Sequence, residues 1–112
     1  MKGMWEILIP TVRNDGKAFR THFHKVWDEK VRLISGGLTV MPVAKGQWIF
    51  KETDGNNKLF EERMIPVRVI ATREEIEQII SMTMAYYGQI AVLAYKISEE
   101  VILRHKDGRH DI

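Results

Sequence analysis

The pattern of apolar and polar positions divides the chain into strand-like and helix-like segments. The first, MWEILIPTV at positions 4–12, is apolar at nearly every position and is typical of a central strand covered on at least one face. The turn RNDG at 13–16 follows, and its Asp-Gly pair suits tight backbone geometry. We therefore expect the chain to open with a buried strand.

Apolar side chains then recur with helical spacing over residues 17–35. The recurring positions are Phe19, Phe23, Val26, Trp27, Val31 and Ile34. Lys30 interrupts this stripe, but its long stem can lie along apolar surface while the amine reaches water. Gly36 and Gly37 come next, and glycine is favoured where a helix ends in the left-handed conformation. These features predict a helix that ends at the glycine pair.

A long β-hairpin is predicted over the middle of the chain. A strand covers residues 38–51, with Pro42 and Gly46 marking an edge position or a bulge. The turn-rich segment ETDGNNK at 52–58 contains an Asp-Gly pair, the strongest hairpin signal in the chain. The return strand covers residues 59–71, where apolar positions alternate with mixed ones.

A second helix and a last strand complete the pattern. Thr72 is the predicted N-cap, and Glu75 completes a capping box. Gly88 ends this helix. The last strand covers residues 90–97, with a continuation over 100–105 as an open alternative.

The element order β-α-β-β-α-β predicts the fold class. Right-handed crossovers place both helices on the same face of the sheet. We therefore predict an α+β, ferredoxin-like split βαββαβ fold, a four-stranded antiparallel sheet with two helices on one face. Residues 1–104 form this single domain, and residues 105–112, which lack a pattern, form a mobile tail.

Composition narrows the class of protein. The chain has 112 residues, 45% hydrophobic and 29% charged, which is typical of a globular domain. It has no cysteine, which excludes disulfides, thiolate zinc sites and a cysteine nucleophile. No apolar run approaches the ~18–20 residues of a membrane span, and no signal peptide is evident, so we expect a cytoplasmic protein without a membrane partner.

The net charge of +2 gives little support for a nucleic-acid partner. Basic residues gather at 17–25 and 104–110, but acidic segments balance them, so phosphate binding stays an alternative to an ordinary mixed surface. RNA binding would need exposed aromatic residues beside a Lys/Arg-Gly-Phe-type signature, which the chain lacks.

Residues that could carry catalysis are sparse. No nucleophile elbow, P-loop or dinucleotide fingerprint occurs, and we predict no cofactor. His22 and His24 lie two apart on a predicted helix, so they face opposite ways and do not share a metal. Glu6, in the apolar first strand, has three open roles: it faces solvent or an interface, it pairs with Arg68 across the sheet, or it acts as an acid or base. The sequence favours a protein that is not an enzyme, with no catalytic residue and no metal ligand assigned.

Trp48, Phe50 and Phe60 surround the predicted hairpin and have two interpretations. They form a cross-strand cluster that stabilises the hairpin, or they form an exposed apolar patch that marks an interface. Because the predicted sheet leaves one face without helices, our leading interpretation is a homodimer, made by stacking sheets or by exchanging hairpins.

The segments GGLTVMPVAKGQW and FEERMIPVRVIA resemble a group of small uncharacterised bacterial and phage proteins. The shared pattern is GGxTxxPxxKGxW, and the likeness covers about residues 5–102. It implies a ferredoxin-like fold and names no catalytic residue. Lys45, Trp48 and Glu62 are the polar or aromatic members of the pattern.

Three functional hypotheses follow. The first is a non-enzymatic binding protein, a homodimer that uses its open sheet face or its hairpin. The second is a phage-type counter-defence protein that sequesters a nucleotide signal or blocks a host protein, with Arg13, Lys17, Arg20 and His24 near the first turn as candidate phosphate contacts. The third is a small enzyme of the dimeric α/β-barrel type. The residues that we assign to ligand or partner binding are Lys45, Trp48, Phe50, Phe60, Glu62, Arg68, Arg13, Lys17, Arg20 and His24.

Overall fold

The computed structural model describes residues 1–109 and shows two helices packed on an antiparallel sheet. The elements in chain order are β1 Gly3–Pro10, α1 Thr21–Ser35, β2 Thr39–Val40, β3 Ala44–Lys51, β4 Asn57–Ala71, α2 Arg73–Tyr87 and β5 Ala94–Ser98. The strands lie in the order β2-β4-β1-β5, and β3 pairs with β4 beyond β2. The predicted α+β, ferredoxin-like split βαββαβ fold is confirmed.

The second strand of the prediction is divided in two, so the sheet has five strands rather than four. Val40 pairs with Val67 and Ala44 with Met64, which leaves residues 41–43 opposite residues 65–66. The extra residue makes this interruption a bulge, which contains Pro42, a residue with no N–H to give to a ladder. The predicted edge or bulge at this proline is confirmed.

Helix α1 begins at Thr21, four residues later than the predicted position 17. Local hydrogen bonds explain the difference, because the Lys17 amide donates to the Asp15 carboxylate at 3.0 Å. The Phe19 amide donates to the Thr11 carbonyl at 3.1 Å, and Val12 forms a bridge with Ala18. These bonds hold residues 11–19 as a turn whose two ends pair with each other. The backbone groups that they use are then not available to an additional helical turn.

The predicted helix ends are correct. Gly36 and Gly88, which follow α1 and α2, adopt left-handed φ values of 97° and 66°. At the start of α2, the Glu75 amide donates to the Thr72 hydroxyl, and the Thr72 amide donates to the Glu75 carboxylate at 2.8 Å. These signals are local in sequence, so they are independent of the tertiary arrangement.

The core lies between the sheet and the two helices. Its buried residues are Ile7, Ile9, Trp27, Val31, Val67, Val69, Ala71, Ile76, Ile79 and Tyr87. The indole N–H of Trp27 donates to the Thr83 hydroxyl at 2.9 Å, and that hydroxyl donates to the Ile79 carbonyl at 2.6 Å. These interior polar atoms of the two helices are thus satisfied, as burial requires.

The C-terminal part differs in extent from the prediction. Strand β5 covers Ala94–Ser98 rather than residues 90–97, and residues 100–105 form no strand. Residues 105–109 include a turn, in which the Gly108 amide donates to the His105 carbonyl at 3.0 Å. Residues 110–112 of the predicted mobile tail lie outside the described residues, and its mobility stays a prediction. Within residues 1–109, no helix has the length and apolar character needed to span a membrane.

Candidate functional site

The sheet face opposite the helices, which we call the open face, is largely apolar. Its residues are the even-numbered positions of β1 and β4, since Ile7 and Val67 point into the core and successive side chains alternate. The apolar residues of this face include Met4, Leu8, Met64, Pro66 and Ile70. No helix of the described residues packs on this face.

A row of polar side chains crosses the centre of the open face. Glu6 lies opposite Arg68 on β4 and opposite Tyr95 on β5. The Arg68 Nε donates to Glu6 Oε1 at 3.1 Å, and the Tyr95 hydroxyl donates to Glu6 Oε2. This ion pair confirms the predicted alternative in which Glu6 pairs with Arg68. Glu6 is also only 8% exposed. Because both Glu6 carboxylate oxygens already accept hydrogen bonds, a structural role for Glu6, which connects β4 and β5 through β1, is favoured over a role as a catalytic acid or base.

Residues 45–51 of β3 and 57–63 of β4 form a two-stranded ribbon, which we call the arm. The arm extends the molecule to 60 Å in its longest dimension. Trp48 lies opposite Phe60, and the rings of Phe50 and Phe60 meet edge to face at 5.5 Å. These three side chains share one side of the arm, the aromatic face. They are 38–60% exposed, so they form both a cross-strand cluster and an exposed patch. The cluster and the exposed patch, which the sequence offered as alternatives, are therefore both present.

The predicted pair Lys45 and Trp48 does not form one surface. Lys45 lies on the side of the arm opposite the aromatic face, where its amine is 3.6 Å from the Glu61 carboxylate. Glu62, opposite Gly46, lies on the aromatic face. A Cβ on Gly46 would stand 3.1 Å from the Trp48 indole nitrogen, so the glycine leaves room for that ring.

Three of the predicted phosphate-binding residues line a single groove. Arg13, Lys17 and Arg20 surround a groove of about 600 Å³ beside the start of α1. Phe23 and Tyr86 contribute to its floor. The structure therefore places around one groove three residues that the sequence grouped by their positive charge and their position near the first turn.

His24 is not among the residues that line this groove. Its Nδ1 is 2.7 Å from the Tyr87 hydroxyl, between the two helices. Burial lowers the pKa of His24, and the nearby Asp28 carboxylate partly opposes this effect. Burial also raises the pKa of Tyr87, with further contributions from Asp28 and Tyr86. His24 thus belongs to the contact between the helices.

Sequence reasoning missed Tyr95 and the aromatic floor of the groove. Tyr95 lies in the predicted last strand, and its neighbour across β1 depends on register, which no local pattern specifies. Tyr86 lies next to Tyr87 near the end of α2, where the helical period alone could have shown that only one of the two faces the core.

A second cavity, of about 370 Å³, lies at one end of the open face. Arg68, Lys2 and Ser35 contribute polar groups, and Met4 and Ile70 contribute apolar surface. Both cations already have partners, since the Lys2 amine is 3.4 Å from the Glu75 carboxylate and Arg68 binds Glu6. Among residues 1–109, no group of three or more His, Asp or Glu side chains could hold a metal ion.

Comparisons with known proteins show the fold. No family model matches the chain, and no curated protein matches it. The chain is similar to the periplasmic divalent cation tolerance protein CutA from Archaeoglobus fulgidus, with a TM-score of 0.63 and 9% identity over 96% of this chain and 90% of that one. The divalent cation tolerance protein from Thermus thermophilus gives a TM-score of 0.58 and 11% identity, with coverage of 90% and 88%. A phage SAM lyase in complex with S-methyl-5'-thioadenosine gives 0.58 and 11%, with coverage of 88% and 85%.

Proposed function

We propose that the protein is a non-enzymatic binding protein of the cytoplasm that forms a homodimer through the arm and the open face. The observation that supports this most strongly is the arm itself. A two-stranded ribbon is marginally stable alone in water, and this one exposes Trp48 and Phe50 on one side and Ile49 and Leu59 on the other. A partner that covers the aromatic face would remove the exposed apolar surface on that side of the arm.

The charges on the aromatic face favour a second copy as that partner. Lys58 and Glu62 flank Phe60 on β4 and, two residues away on either side, share its side of the strand. When two such strands meet antiparallel about a two-fold axis at Phe60, Lys58 of each copy faces Glu62 of the other. Neither side chain forms an ion pair within residues 1–109, although the Lys58 amine lies 5.1 Å from the centre of the Phe60 ring, so both charges can pair with a partner.

The open face extends the same surface. Because β4 keeps its alternation, Phe60 and Glu62 lie on the same side of the sheet as Pro66 and Arg68. The charge of Arg68 is balanced by Glu6, so this part of the surface is near neutral and, outside the part beside Leu103, can pack on another sheet.

The test is a charge exchange on the aromatic face. K58E or E62K alone places like charges opposite each other twice in the dimer, and the double variant restores the attraction with the signs reversed. We expect each single variant to raise the dimer dissociation constant about tenfold, measured by sedimentation velocity, and the double variant to recover most of the loss.

The matched control is the same exchange on the other side of the arm. K45E with E61K exchanges two charges that already meet within one chain, and we expect no change in dissociation constant. A chain that sediments as a monomer over the whole concentration range would refute the homodimer. Single variants that dimerise like the original chain, or a double variant no better than the singles, would refute the two-fold contact at Phe60.

The second candidate, sequestration of a nucleotide signal as in the predicted counter-defence protein, is favoured by the basic groove beside α1. The resemblance of the sequence to small bacterial and phage proteins is a second reason for this candidate, and it stays a prediction. The third, an enzyme of the dimeric α/β-barrel type, has less support because Glu6 is occupied by Arg68 and Tyr95.

A further inference from the structure

We propose that the groove beside α1, which we call the basic groove, binds a nucleoside polyphosphate, with its base on an aromatic floor and its phosphates on a cationic rim. The groove lies at the β1–α1 turn and is separate from the arm. Its volume of about 600 Å³ is within the range of sites that hold small ligands.

The floor of the basic groove is a stepped stack of three rings. Phe19 and Phe23 have ring centroids 5.0 Å apart and planes inclined by 17°, and Phe23 and Tyr86 have centroids 4.2 Å apart and planes inclined by 25°. Each ring is half-buried, so each retains surface towards the groove. The Tyr86 hydroxyl donates to the Phe23 carbonyl at 2.8 Å, which fixes the third ring. Because Phe23 lies between Phe19 and Tyr86, and the Lys30 amine lies 5.8 Å from the Tyr86 ring centre, a planar base of any identity would stack against Phe19, at the end of this row.

The rim carries positive charge that no acidic side chain among residues 1–109 neutralises through an ion pair. Arg13, Lys17 and Arg20 line the groove, and none forms an ion pair with a residue between 1 and 109. The Arg13 amide donates to the Lys17 carbonyl at 2.7 Å, so the turn holds these two residues together. The nearest acid in sequence, Asp15, accepts a bond from the Lys17 amide and thereby stabilises the turn.

Aromatic and cationic groups together select the ligand class. An inorganic phosphate would use the rim and leave the rings exposed, whereas an uncharged aromatic compound would use the floor and leave the cations without counter-charge. A nucleoside polyphosphate satisfies both parts. A long nucleic acid fits less well, because the chain has a net charge of only +2 and such binding depends on extended basic surface.

The test uses three probes in isothermal titration calorimetry: ATP, inorganic tripolyphosphate and adenosine. We expect ATP to bind at least about tenfold more tightly than either fragment, since only ATP engages both parts of the groove. Lys17→Gln and Arg20→Gln should each weaken ATP binding about three- to tenfold, by loss of charge-assisted bonds to phosphate. Phe19→Leu should reduce the advantage of ATP over tripolyphosphate.

The control is Lys25→Gln, which removes an equal charge from an exposed position of α1 that does not line the groove. Far-ultraviolet circular dichroism confirms that each variant folds, and sedimentation velocity shows whether dimerisation is retained, which separates this site from the arm. Equal affinity for ATP and tripolyphosphate would overturn the proposal. So would equal loss in the Lys25 and Lys17 variants, or a single-stranded oligonucleotide that binds more tightly than ATP.

Discussion

Glu6 shows how one charged residue can belong to an apolar strand. Its neighbours on β1 are buried or half-buried, and an isolated carboxylate there would be strongly unfavourable. The register of β1 with β4 and β5 supplies two donors, from Arg68 and Tyr95. The paired carboxylate is therefore compatible with a nearly buried position. Its removal should lower the stability of the fold mainly because Arg68 and Tyr95 lose their acceptor.

We predict that Glu6→Gln lowers the free energy of unfolding by about 1–2 kcal/mol, because the amide keeps the shape but removes the charge that Arg68 and Tyr95 bind. Urea denaturation at low protein concentration measures the monomer. The matched control is Glu77→Gln, which breaks the exposed pair with Arg73 and should change stability by less than about 0.5 kcal/mol. Equal effects of the two variants would contradict the assignment of a structural role to Glu6.

His24 gives the fold a pH dependence of known sign. Since burial lowers its pKa in the folded chain, the unfolded chain takes up the proton at higher pH. The stability that neutral His24 contributes is fully present above its ordinary pKa of about 6.5 and is lost as the pH falls through the lowered pKa. The charged groups near it are Asp28, whose pKa is raised mainly by burial, and Arg32 beyond that.

We predict that His24→Gln flattens the decline of the thermal midpoint between about pH 7 and pH 5, because the variant no longer has the proton to take up. Differential scanning calorimetry at several pH values measures the slope. His22→Gln removes an exposed histidine from the same helix and should leave the slope as it is. If both variants decline as steeply as the original chain, the assignment of the decline to His24 is wrong.

At the scale of elements, the two halves of β4 have different supports. The half near the C-terminal end of β4 lies between β1 and β2 and contributes Val67 and Val69 to the core. The other half pairs only with β3, and every residue from Asn57 to Arg63 is exposed. The first of these halves is therefore held by the core, and the second is held only by its pairing with β3. The free energy of local opening should be higher in the first half than in the second.

We predict that hydrogen exchange separates these two segments. The amides of Ile7 and Val67 should exchange slowly at any protein concentration, because opening them exposes the core. The amides of the arm near Trp48 and Phe60 should exchange fast in dilute protein and more slowly as the concentration rises and the proposed dimer forms. Mass spectrometry of peptides from the two regions measures both. Arm exchange that does not vary with concentration would contradict a role of the arm in association.

At the scale of the whole molecule, the same chain order supports two separate surfaces. The helices cover one side of the sheet and bury the core, the open face is the other side, and the arm extends β3 and β4 beyond the rest of the sheet. The basic groove lies at the start of α1, beside the end of α2. Because no residue that lines the basic groove lies on the arm or the open face, association and small-ligand binding can be tested independently in the same protein.

The order and ends of the elements follow from sequence because their signals are local. Thr72 and Glu75 lie within one helical turn, Gly36 follows its helix directly, and Pro42 disrupts a ladder wherever the strand lies. The late start of α1 was not predictable in this way. It depends on the Phe19 amide finding the Thr11 carbonyl, a bond that the helical spacing of apolar residues does not encode.

The sequence by itself determined that this chain is an α+β domain with a long hairpin, because period, capping and turn chemistry act between residues a few positions apart. Only the tertiary structure decided which side chains meet. Glu6 meets Arg68 and Tyr95 through strand register, and Phe23 meets Tyr86 through helix packing. Such pairs are separated by long stretches of chain, and their contact depends on how every element between them packs.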